Sequence, residues 1–260
     1  MSADSTRKVA LVTGGSQGIG RAIGLRLAQD GWAVAVVAMD TPELAATTAE
    51  IDALSQARGY AADLSATEGI PALVGKVAAD FGRLDLVVNC AGATRRGGLA
   101  DLADEDWQHG FSVKFFGTVA VTRAAWPHLV ASGGSVVTIA GALGHTPSAD
   151  SLIGGAICSA LINFCKALAE TGRRDGVRVN SINPGWIDTG RLDSMLEQKA
   201  ARDGHGDRAR AGREFVDELK ILRFGRPGDV AELVAYLSDG RGSFIHGASI
   251  DIDGGLTKGV

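Results

Sequence analysis

A glycine-rich run near the start of the chain has the residue types and spacing of a phosphate site. It reads Thr13-Gly14-Gly15-Ser16-Gln17-Gly18-Ile19-Gly20, with apolar residues 9–13 before it and helical spacing over 21–29 after it. In such a strand–turn–helix unit the first glycine permits a sharp turn, the second lets the backbone approach a pyrophosphate, and the third lets helix and strand pack closely. The N–H groups that open the helix would face the phosphates. The run therefore predicts a dinucleotide site made by Gly14, Ser16, Gln17, Gly18, Ile19 and Gly20.

An acidic residue follows the second apolar segment, at the distance expected for contact with the adenosine ribose. Asp40 stands about 20 positions beyond the glycine run, and its carboxylate would accept from a 2′-hydroxyl and repel a 2′-phosphate. No Arg or Lys occurs between Gly31 and Asp52, and Gln17 is uncharged. NAD(H) is therefore favoured, with NADP(H) left open. The alternative is that Asp40 only begins the turn into the following helix.

Apolar strands alternate with helical segments along the chain. The strands are predicted at 9–13, 33–38, 59–62, 84–89, 135–140, 177–182 and 249–252, and the helices at 21–29, 43–57, 67–81, 104–129, 153–170 and 230–237. Strands that are apolar throughout and alternate with helices indicate a parallel sheet covered on both faces. The expected fold class is α/β, a Rossmann-type doubly wound parallel sheet of seven strands in three layers.

Length and composition fit one domain. The chain has 260 residues, of which 45% are hydrophobic and 22% charged, as in ordinary globular proteins. No repeat, low-complexity tract or linker divides it, so residues 1–260 are expected to form a single dinucleotide-binding domain. Residues 191–226 differ, because they are rich in charge and weakly periodic. They are predicted to form either a solvated helix pair or a mobile lid over a substrate.

Charge and cysteine content favour a small-molecule substrate in a reducing compartment. The formal net charge is −4, whereas nucleic acid and anionic membranes need a basic face, so neither is an expected partner. The first residues lack the apolar core of a signal peptide, and no unbroken apolar run reaches the ~18 residues of a membrane helix. Three cysteines, Cys90, Cys158 and Cys165, form no C-x-x-C pair. A cytoplasmic location is expected, with no disulfide framework and no metal site.

Several motifs in order resemble the short-chain dehydrogenase/reductase family over nearly the whole chain. Beyond the glycine run they are Ala62-Asp63-Leu64, Asn89-Cys90-Ala91-Gly92, Arg178-Val179-Asn180, Pro184-Gly185-Trp186-Ile187-Asp188-Thr189 and Asp253-Gly254-Gly255. The resemblance implies that Asp63 meets the adenine and that Ile187 and Thr189 hold the nicotinamide carboxamide. It implies further cofactor contacts at Leu64, Asn89, Ala91, Gly92, Pro184 and Gly185. The family's usual ribose-binding acid falls nearer Ala38 than Asp40.

The same resemblance implies four catalytic side chains, all of which differ in this chain. In the family a tyrosine exchanges the proton, a lysine four residues later lowers the tyrosine pKa, a serine polarises the carbonyl, and an asparagine completes a relay. Aligned on the helix after the fifth strand, these positions fall on Gly154, Cys158, Gly141 and Lys114, respectively. The two tyrosines of the chain belong to other elements, so no shift of the alignment restores the pattern.

Two residues are predicted to replace the missing proton chemistry. Lys114 has a flexible stem that could place its ammonium near the position of the missing lysine, with room left by Gly154. His145 follows the fifth strand and could donate a proton near neutral pH. The alternatives are an exposed helix lysine and a surface histidine. Cys158 would act as an acid or nucleophile only with its thiolate stabilised, for instance by Lys114.

Three functions stay open at this point. The first is an NAD(P)(H)-dependent oxidoreductase with a rebuilt proton relay, acting on a carbonyl or alcohol substrate. The second is a cofactor-binding protein without turnover, serving as a sensor or a partner subunit. The third is a lyase or isomerase on the same scaffold, since fold alone does not settle function. The resemblance also implies a homo-oligomer, dimer or tetramer, assembled through helices 104–129 and 153–170 and the C-terminal strand.

Overall fold

Seven short strands form one parallel sheet, in which the five inner strands are buried along all or nearly all of their length. The computed structural model describes residues 7–92 and 94–259. The strands are β1 (Val9–Thr13), β2 (Ala33–Ala38), β3 (Ala57–Ala61), β4 (Leu86–Asn89), β5 (Ser135–Ile139), β6 (Arg178–Pro184) and β7 (Ser249–Ile252). They pair in the order β3-β2-β1-β4-β5-β6-β7. Because the order reverses between β1 and β4, a crevice opens at the carboxyl ends of these two strands. The predicted doubly wound α/β fold is confirmed.

Helices cover both faces of the sheet. They are α1 (Gly18–Gln29), α2 (Pro42–Asp52), α3 (Ile70–Phe81), α4 (Asp104–Gly110), α5 (Gly117–Ser132), α6 (Leu152–Asp175), α7 (Gly190–Arg202), α8 (Arg208–Leu219) and α9 (Pro227–Ser238). On one face the apolar sides of α3, α5 and α6 meet the sheet, and on the other those of α1, α2 and α9 do. The two buried clusters give the three layers expected from the sequence.

The predicted boundary between α2 and β3 was wrong by several residues. Helix α2 ends at Asp52 rather than at residue 57, and Ala57 already pairs with Val34 in the sheet. The Asp52 carboxylate accepts a hydrogen bond from the Ala57 N–H at 2.8 Å. This hydrogen bond ties the end of α2 to the start of β3 across a short connection. Helical spacing in the sequence could not reveal it.

The long helix predicted over 104–129 is three segments. Helix α4 ends at Gly110, a π-helical segment covers Phe111–Phe116, and α5 continues to Ser132. Both flanking glycines pack closely: a Cβ at Gly110 would lie 2.8 Å from Ile153, and one at Gly117 would lie 2.9 Å from the Leu64 carbonyl oxygen. The π-helical segment, which is wider than an α-helix, accommodates the residues between Gly110 and Gly117. Such π segments occur often at functional sites, and Lys114 lies in this one.

Helix α6 is long and apolar enough, by length and composition, to cross a membrane, with 24 residues and a mean hydropathy of 1.7. Its side chains at Ile153, Ile157 and Leu161 are nevertheless fully or almost fully buried in the protein. The core helix of a soluble protein passes the same test. We therefore describe α6 as a core helix of the sheet's flanking layer.

The charged segment predicted over 191–226 contains α7 and α8, joined by a short loop. Arg208 at the start of α8 forms ion pairs with Asp188 and with Asp193. Phe215 of α8 packs edge-on against Trp186, with ring centroids 4.9 Å apart. The segment is thus a helix pair attached beside the carboxyl end of β6, and its movement as a lid stays a prediction.

Candidate active site

The glycine run forms a cradle in which side chains would collide with backbone. Gly14 has φ of +64°, and a Cβ there would lie 2.8 Å from the Ala91 Cα atom. A Cβ at Gly20 would come within 2.2 Å of the Gly14 carbonyl oxygen. Gly18, with φ of +55°, faces the Thr189 methyl group, which would lie 3.5 Å from its Cβ. The run therefore passes between the loop after β4 and the segment entering α7.

A buried threonine holds the loop after β4 against this cradle. The Thr13 hydroxyl accepts hydrogen bonds from the N–H groups of Cys90 at 3.0 Å and of Ala91 at 3.2 Å. It donates to the Val88 carbonyl at 3.4 Å. Asn89 is fully enclosed, donates to Thr122 at 3.0 Å, and keeps its carbonyl oxygen without a protein partner. That orphaned oxygen lies where the crevice opens.

The two predicted adenosine contacts lie at the carboxyl ends of β2 and β3. The backbone N–H and hydroxyl of Ser65 both donate to Asp63 Oδ1, at 2.9 and 2.8 Å. These hydrogen bonds, the backbone one above all, hold the pKa of the Asp63 carboxyl below its usual range. Asp40 is exposed and borders a surface groove of about 420 Å³ between α2 and β3. Its contact with a ribose stays a prediction.

The segment after β6 closes the other side of the crevice. Gly185 approaches the C-terminal segment so closely that a Cβ would lie 2.8 Å from the Asp253 Cα atom, and its N–H donates to the Ile252 carbonyl. Ile187 is buried, and the Thr189 hydroxyl donates to the Ile187 carbonyl at 3.4 Å. Close backbone approach at the glycines and the free N–H groups that open α1 fit a dinucleotide pyrophosphate.

At the reactive end the structure brings together the residues that stand where the family's catalytic groups would be. The Lys114 ammonium donates to the Ala140 carbonyl at 2.7 Å and lies 3.6 Å from the Cys158 Sγ atom. The Cys158 thiol donates to the same carbonyl at 2.9 Å. The stem of Lys114 packs on Gly92, where a Cβ would lie 2.7 Å from its own. The Lys114 ammonium thus lies beside Cys158, the position on α6 at which the family would have a charged lysine.

The two glycines of this end provide no side chain, and neighbouring side chains pack closely on both. Gly141 has φ of +131°, a backbone conformation that side chains rarely adopt. A Cβ there would lie 3.0 Å from Cys158 Sγ, and one at Gly154 would lie 3.1 Å from Thr94 Oγ1. The backbone at 141 is therefore no longer shaped for a serine.

Thr94 is a site residue that sequence reasoning missed. Its hydroxyl oxygen is the atom nearest to the position from which a side chain at 154 would extend. Its place two residues after the Asn89–Gly92 motif was the available signal, because residues beyond the carboxyl end of a central strand line the crevice.

The structure does not bring His145 to this cluster. A short turn over Ala142–Gly144 reverses the chain, and the His145 ring instead lies 3.0 Å from the Asp251 carboxylate of β7. With Ser159, Lys166 and other residues it lines a groove of about 440 Å³ beside α6. The role of His145 as the proton donor stays a prediction.

Two of the three cysteines are held as thiols by burial. Burial raises the pKa of Cys90 to about 12, against the opposing charge of Lys114. Burial also raises the pKa of Cys165 to about 11. Neither provides a thiolate near neutral pH.

One cluster on the charged helix pair has metal-ligand residue types. Atoms of Asp203, His205 and Glu214 lie within 4.8 Å of one another. However, His205 Nδ1 accepts the Asp207 N–H at 3.0 Å, so the neutral ring carries its proton on Nε2. That nitrogen is the one that faces Glu214, at 3.6 Å. A metal ligand needs a free lone pair there, so the donor set does not fit a metal.

Fold, cradle and crevice together define a nicotinamide-dinucleotide-dependent oxidoreductase. A family model described as Enoyl-(Acyl carrier protein) reductase matches residues 14–257. The chain belongs to the short-chain dehydrogenase/reductase family. An uncharacterised oxidoreductase of Mycobacterium tuberculosis is 36% identical over 253 residues, covering 96% of this chain and 92% of that protein.

Two solved structures show how closely the fold is shared. The L-sorbose reductase of Gluconobacter frateurii, complexed with NADPH and L-sorbose, matches 100% of both chains with a TM-score of 0.93 and 30% identity. A short-chain oxidoreductase of Pseudomonas aeruginosa PAO1, bound to NADPH and described as containing an atypical catalytic center, covers 97% of this chain and 98% of its own. Its TM-score is 0.88 at 26% identity.

Proposed function

We propose that this protein interconverts a carbonyl and an alcohol with a nicotinamide cofactor, and that Lys114 replaces the family's usual proton relay. The observation that carries the proposal is the placement of the Lys114 ammonium, 2.7 Å from the Ala140 carbonyl oxygen and 3.6 Å from Cys158 Sγ. A cation is thereby fixed at the reactive end of an otherwise complete cofactor site.

Lys114 can supply both charge and a proton at this position. The cofactor supplies or accepts the hydride. An ammonium has three N–H donors, and two are directed at Ala140 and Cys158. The third remains for the substrate oxygen, where it stabilises the negative charge that develops during reduction. The proton then passes from Nζ to that oxygen, and water reprotonates the amine.

NAD(H) is the cofactor that the charges at the adenosine end favour. A 2′-phosphate would approach the carboxylates of Asp40 and Asp63, and the pKa of Asp63 is lowered, so it is ionised at neutral pH. The two structural relatives bind NADPH. A comparison of NADH with NADPH binding therefore tests the proposed preference directly. We expect fluorescence titration to give tighter binding of NADH than of NADPH; the reverse order would contradict the preference.

Replacement of Lys114 tests the catalytic role. On a panel of ketones and alcohols, Lys114→Met should lower kcat by ~10²- to 10⁴-fold, the contribution of a positioned acid, while NADH still binds. The matched control is Lys76→Met on α3, since Lys76 is exposed, pairs with Asp80 at 3.1 Å and lies over the Tyr60 ring; it should keep normal kinetics. Normal turnover by Lys114→Met would contradict the proposal.

A second candidate is a cofactor-binding protein without turnover. It is favoured by Gly141 and Gly154, which offer no side chain to a substrate. The same panel separates the candidates: tight NADH binding by the wild-type protein with no turnover of any ketone or alcohol would select the second.

We also propose that the chain forms a homo-oligomer. Phe116 of the π segment and Val130 of α5 are half-exposed, and Leu222 and Phe244, which precede α9 and β7, are almost entirely exposed. Large exposed apolar side chains on a protein of this size mark contact surfaces. Light scattering should give a dimer or tetramer, and Phe244→Asp should shift it to smaller species. A monomeric wild-type protein would contradict this proposal.

A further inference from the structure

We infer that the groove between α6 and β7 is a second binding site, which takes a small organic carboxylate at the Lys166 ammonium. The groove has a volume of about 440 Å³, within the range of pockets that hold small molecules. None of its lining residues belongs to the glycine run or to the pair of Lys114 and Cys158. The inference therefore goes beyond the proposed function and does not depend on it.

A buried hydroxyl without a partner lies in the wall of this groove. Ser181 of β6 lines the groove and is 1% exposed, and its Oγ atom has no hydrogen-bond partner among the residues that the structure describes. Val179, two residues earlier, packs in the buried cluster under α6. Side chains two apart on a strand point to the same face, so Ser181 also faces α6. A buried polar group left unpaired costs free energy, which a bound ligand can recover.

Lys166 of α6 places a cation at the same groove. Its Nζ atom donates to the Gly247 carbonyl at 2.7 Å, which holds the ammonium between α6 and the segment that enters β7. An ammonium has three N–H donors, so two remain for a ligand. No acidic residue lines the groove, and within residues 7–92 and 94–259 Lys166 forms no ion pair. A positioned cation without a counter-charge favours an anionic ligand.

The edge strand β7 adds a further donor. Ser249 Oγ accepts a hydrogen bond from Asn183 Nδ2 at 2.8 Å, so its own proton can be donated to a ligand in the groove. Asp251, the carboxylate that follows on β7, is already engaged by the His145 ring at 3.0 Å and by Asn183 Nδ2 at 2.8 Å. An anion would therefore meet donors from α6, β6 and β7.

The groove also has an apolar part, which indicates an organic rather than an inorganic anion. Ile162 of α6 and Ala248, which precedes β7, line it beside the polar groups. A carboxylate can accept from the ammonium and the hydroxyls at once. The carbon atoms of the same molecule would then pack against Ile162, where phosphate has nothing to offer.

The test is calorimetric titration of the full chain with acetate, succinate, benzoate and inorganic phosphate, each with and without saturating NADH. Acetamide and benzamide are the neutral counterparts. We expect wild-type protein to bind at least one carboxylate more tightly than phosphate, and to bind neither amide. The affinity should be the same with and without NADH, because the groove lies outside the cofactor crevice. It should fall as salt is added.

Two variants of the groove should weaken that carboxylate. Lys166→Met should lower its affinity at least ~10-fold, the scale of a lost charge-assisted hydrogen bond, and Ser181→Ala should lower it about 2- to 10-fold. Ser181→Ala should also leave the midpoint of urea unfolding unchanged or higher, because it removes a buried hydroxyl that has no partner. A purely structural role of Ser181 would lower that midpoint instead.

Two matched controls locate the anion. Ser238→Ala removes a buried hydroxyl that does have a partner, the Val234 carbonyl at 2.6 Å; it should lower the unfolding midpoint and keep the carboxylate affinity of wild type. Lys114→Met removes the cation of the cofactor crevice and should also keep that affinity.

Several results would overturn the inference. They are no carboxylate bound by wild type, binding of phosphate alone, unchanged affinity in Lys166→Met, and loss of the carboxylate on addition of NADH or in Lys114→Met. Either of the last two results would place the anion in the cofactor crevice. If wild type bound no anion and Lys166→Met changed the oligomeric state in light scattering, this face would be a subunit contact and not a ligand site. Since binding needs no turnover, failure of the catalytic proposal leaves this one standing.

Discussion

The two ends of the crevice differ in how their glycines are used. At the cofactor end, Gly14 and Gly20 are required by backbone contacts shorter than any side chain allows. At the reactive end, Gly154 is contacted by the ends of side chains, Thr94 Oγ1 above all, and the π segment supplies the charge through Lys114. Close backbone packing therefore preserves the first end, whereas the second end depends on one cation.

Breaking the cofactor end should have the largest effect on function, because cofactor binding is lost together with stability. Gly20→Ala would place a Cβ 2.2 Å from the Gly14 carbonyl oxygen, and backbone atoms on both sides leave no flexible group to move. We expect a loss of about 3 kcal/mol in the free energy of unfolding, the upper range for overpacking, together with loss of NADH binding. Urea denaturation and fluorescence titration measure the two.

Gly75→Ala is the control for that experiment. Gly75 lies inside α3, and a Cβ there would meet nothing within 4 Å. Alanine in a helix interior should stabilise the protein by about 0.5–1 kcal/mol. If Gly20→Ala kept NADH binding and was as stable as Gly75→Ala, the glycine run would not be as closely packed as the structure indicates.

Restoring the family's lysine should fail at the reactive end unless Lys114 is removed. Cys158→Lys would bury a second ammonium beside the first, without a carboxylate, and should cost about 3–5 kcal/mol of stability. Adding Lys114→Asn should recover most of that loss. Urea unfolding of both single variants and the double variant measures the coupling. If the changes in unfolding free energy of the two single variants simply added in the double variant, Lys114 and a lysine at 158 would not occupy the same position.

The smallest expected effect is a pH dependence from Cys90. Its thiol has a pKa raised by burial to about 12, above the value of about 8.5 in an unfolded chain. The native state then holds its proton more tightly. The thiol's stabilising contribution is complete below about pH 8.5 and falls as pH rises toward 12, by at most about 1.4 kcal/mol per pH unit.

Cys90→Ser isolates that contribution, since serine does not titrate in this range. The difference in unfolding free energy between wild type and Cys90→Ser should be constant up to about pH 8 and change steadily above it, against wild type. A difference that stays constant to pH 10 would mean that the thiol is not desolvated.

Much of the fold followed from the sequence because its signals are local. The bounds of β1, β2 and β7 were predicted as the structure has them, since each is a short apolar run ended by turn residues. The end of α2 was missed because it depends on one hydrogen bond from Ala57 to Asp52. The π segment was missed because helical spacing does not reveal a change of winding.

The site was predictable where motifs repeat a backbone geometry and not where distant side chains meet. The glycine run and the loop at Ala91 come together as expected. The contact of the His145 ring with Asp251 of β7 joins residues 106 positions apart, and no sequence pattern indicates it. Arg96 and Trp186 are far apart in the chain, and only the fold places the guanidinium over the ring, 5.1 Å from its centroid.

The π segment Phe111–Phe116 has a consequence for how this centre can change. An α-helix turns about 100° per residue, so deleting one residue between the anchored Gly110 and Gly117 would rewind the segment and swing Lys114 away from Ala140. The position of the Lys114 ammonium is thus determined by the winding of the main chain rather than by a side-chain partner. Insertions and deletions there, more than substitutions, are the changes that would create or abolish this arrangement.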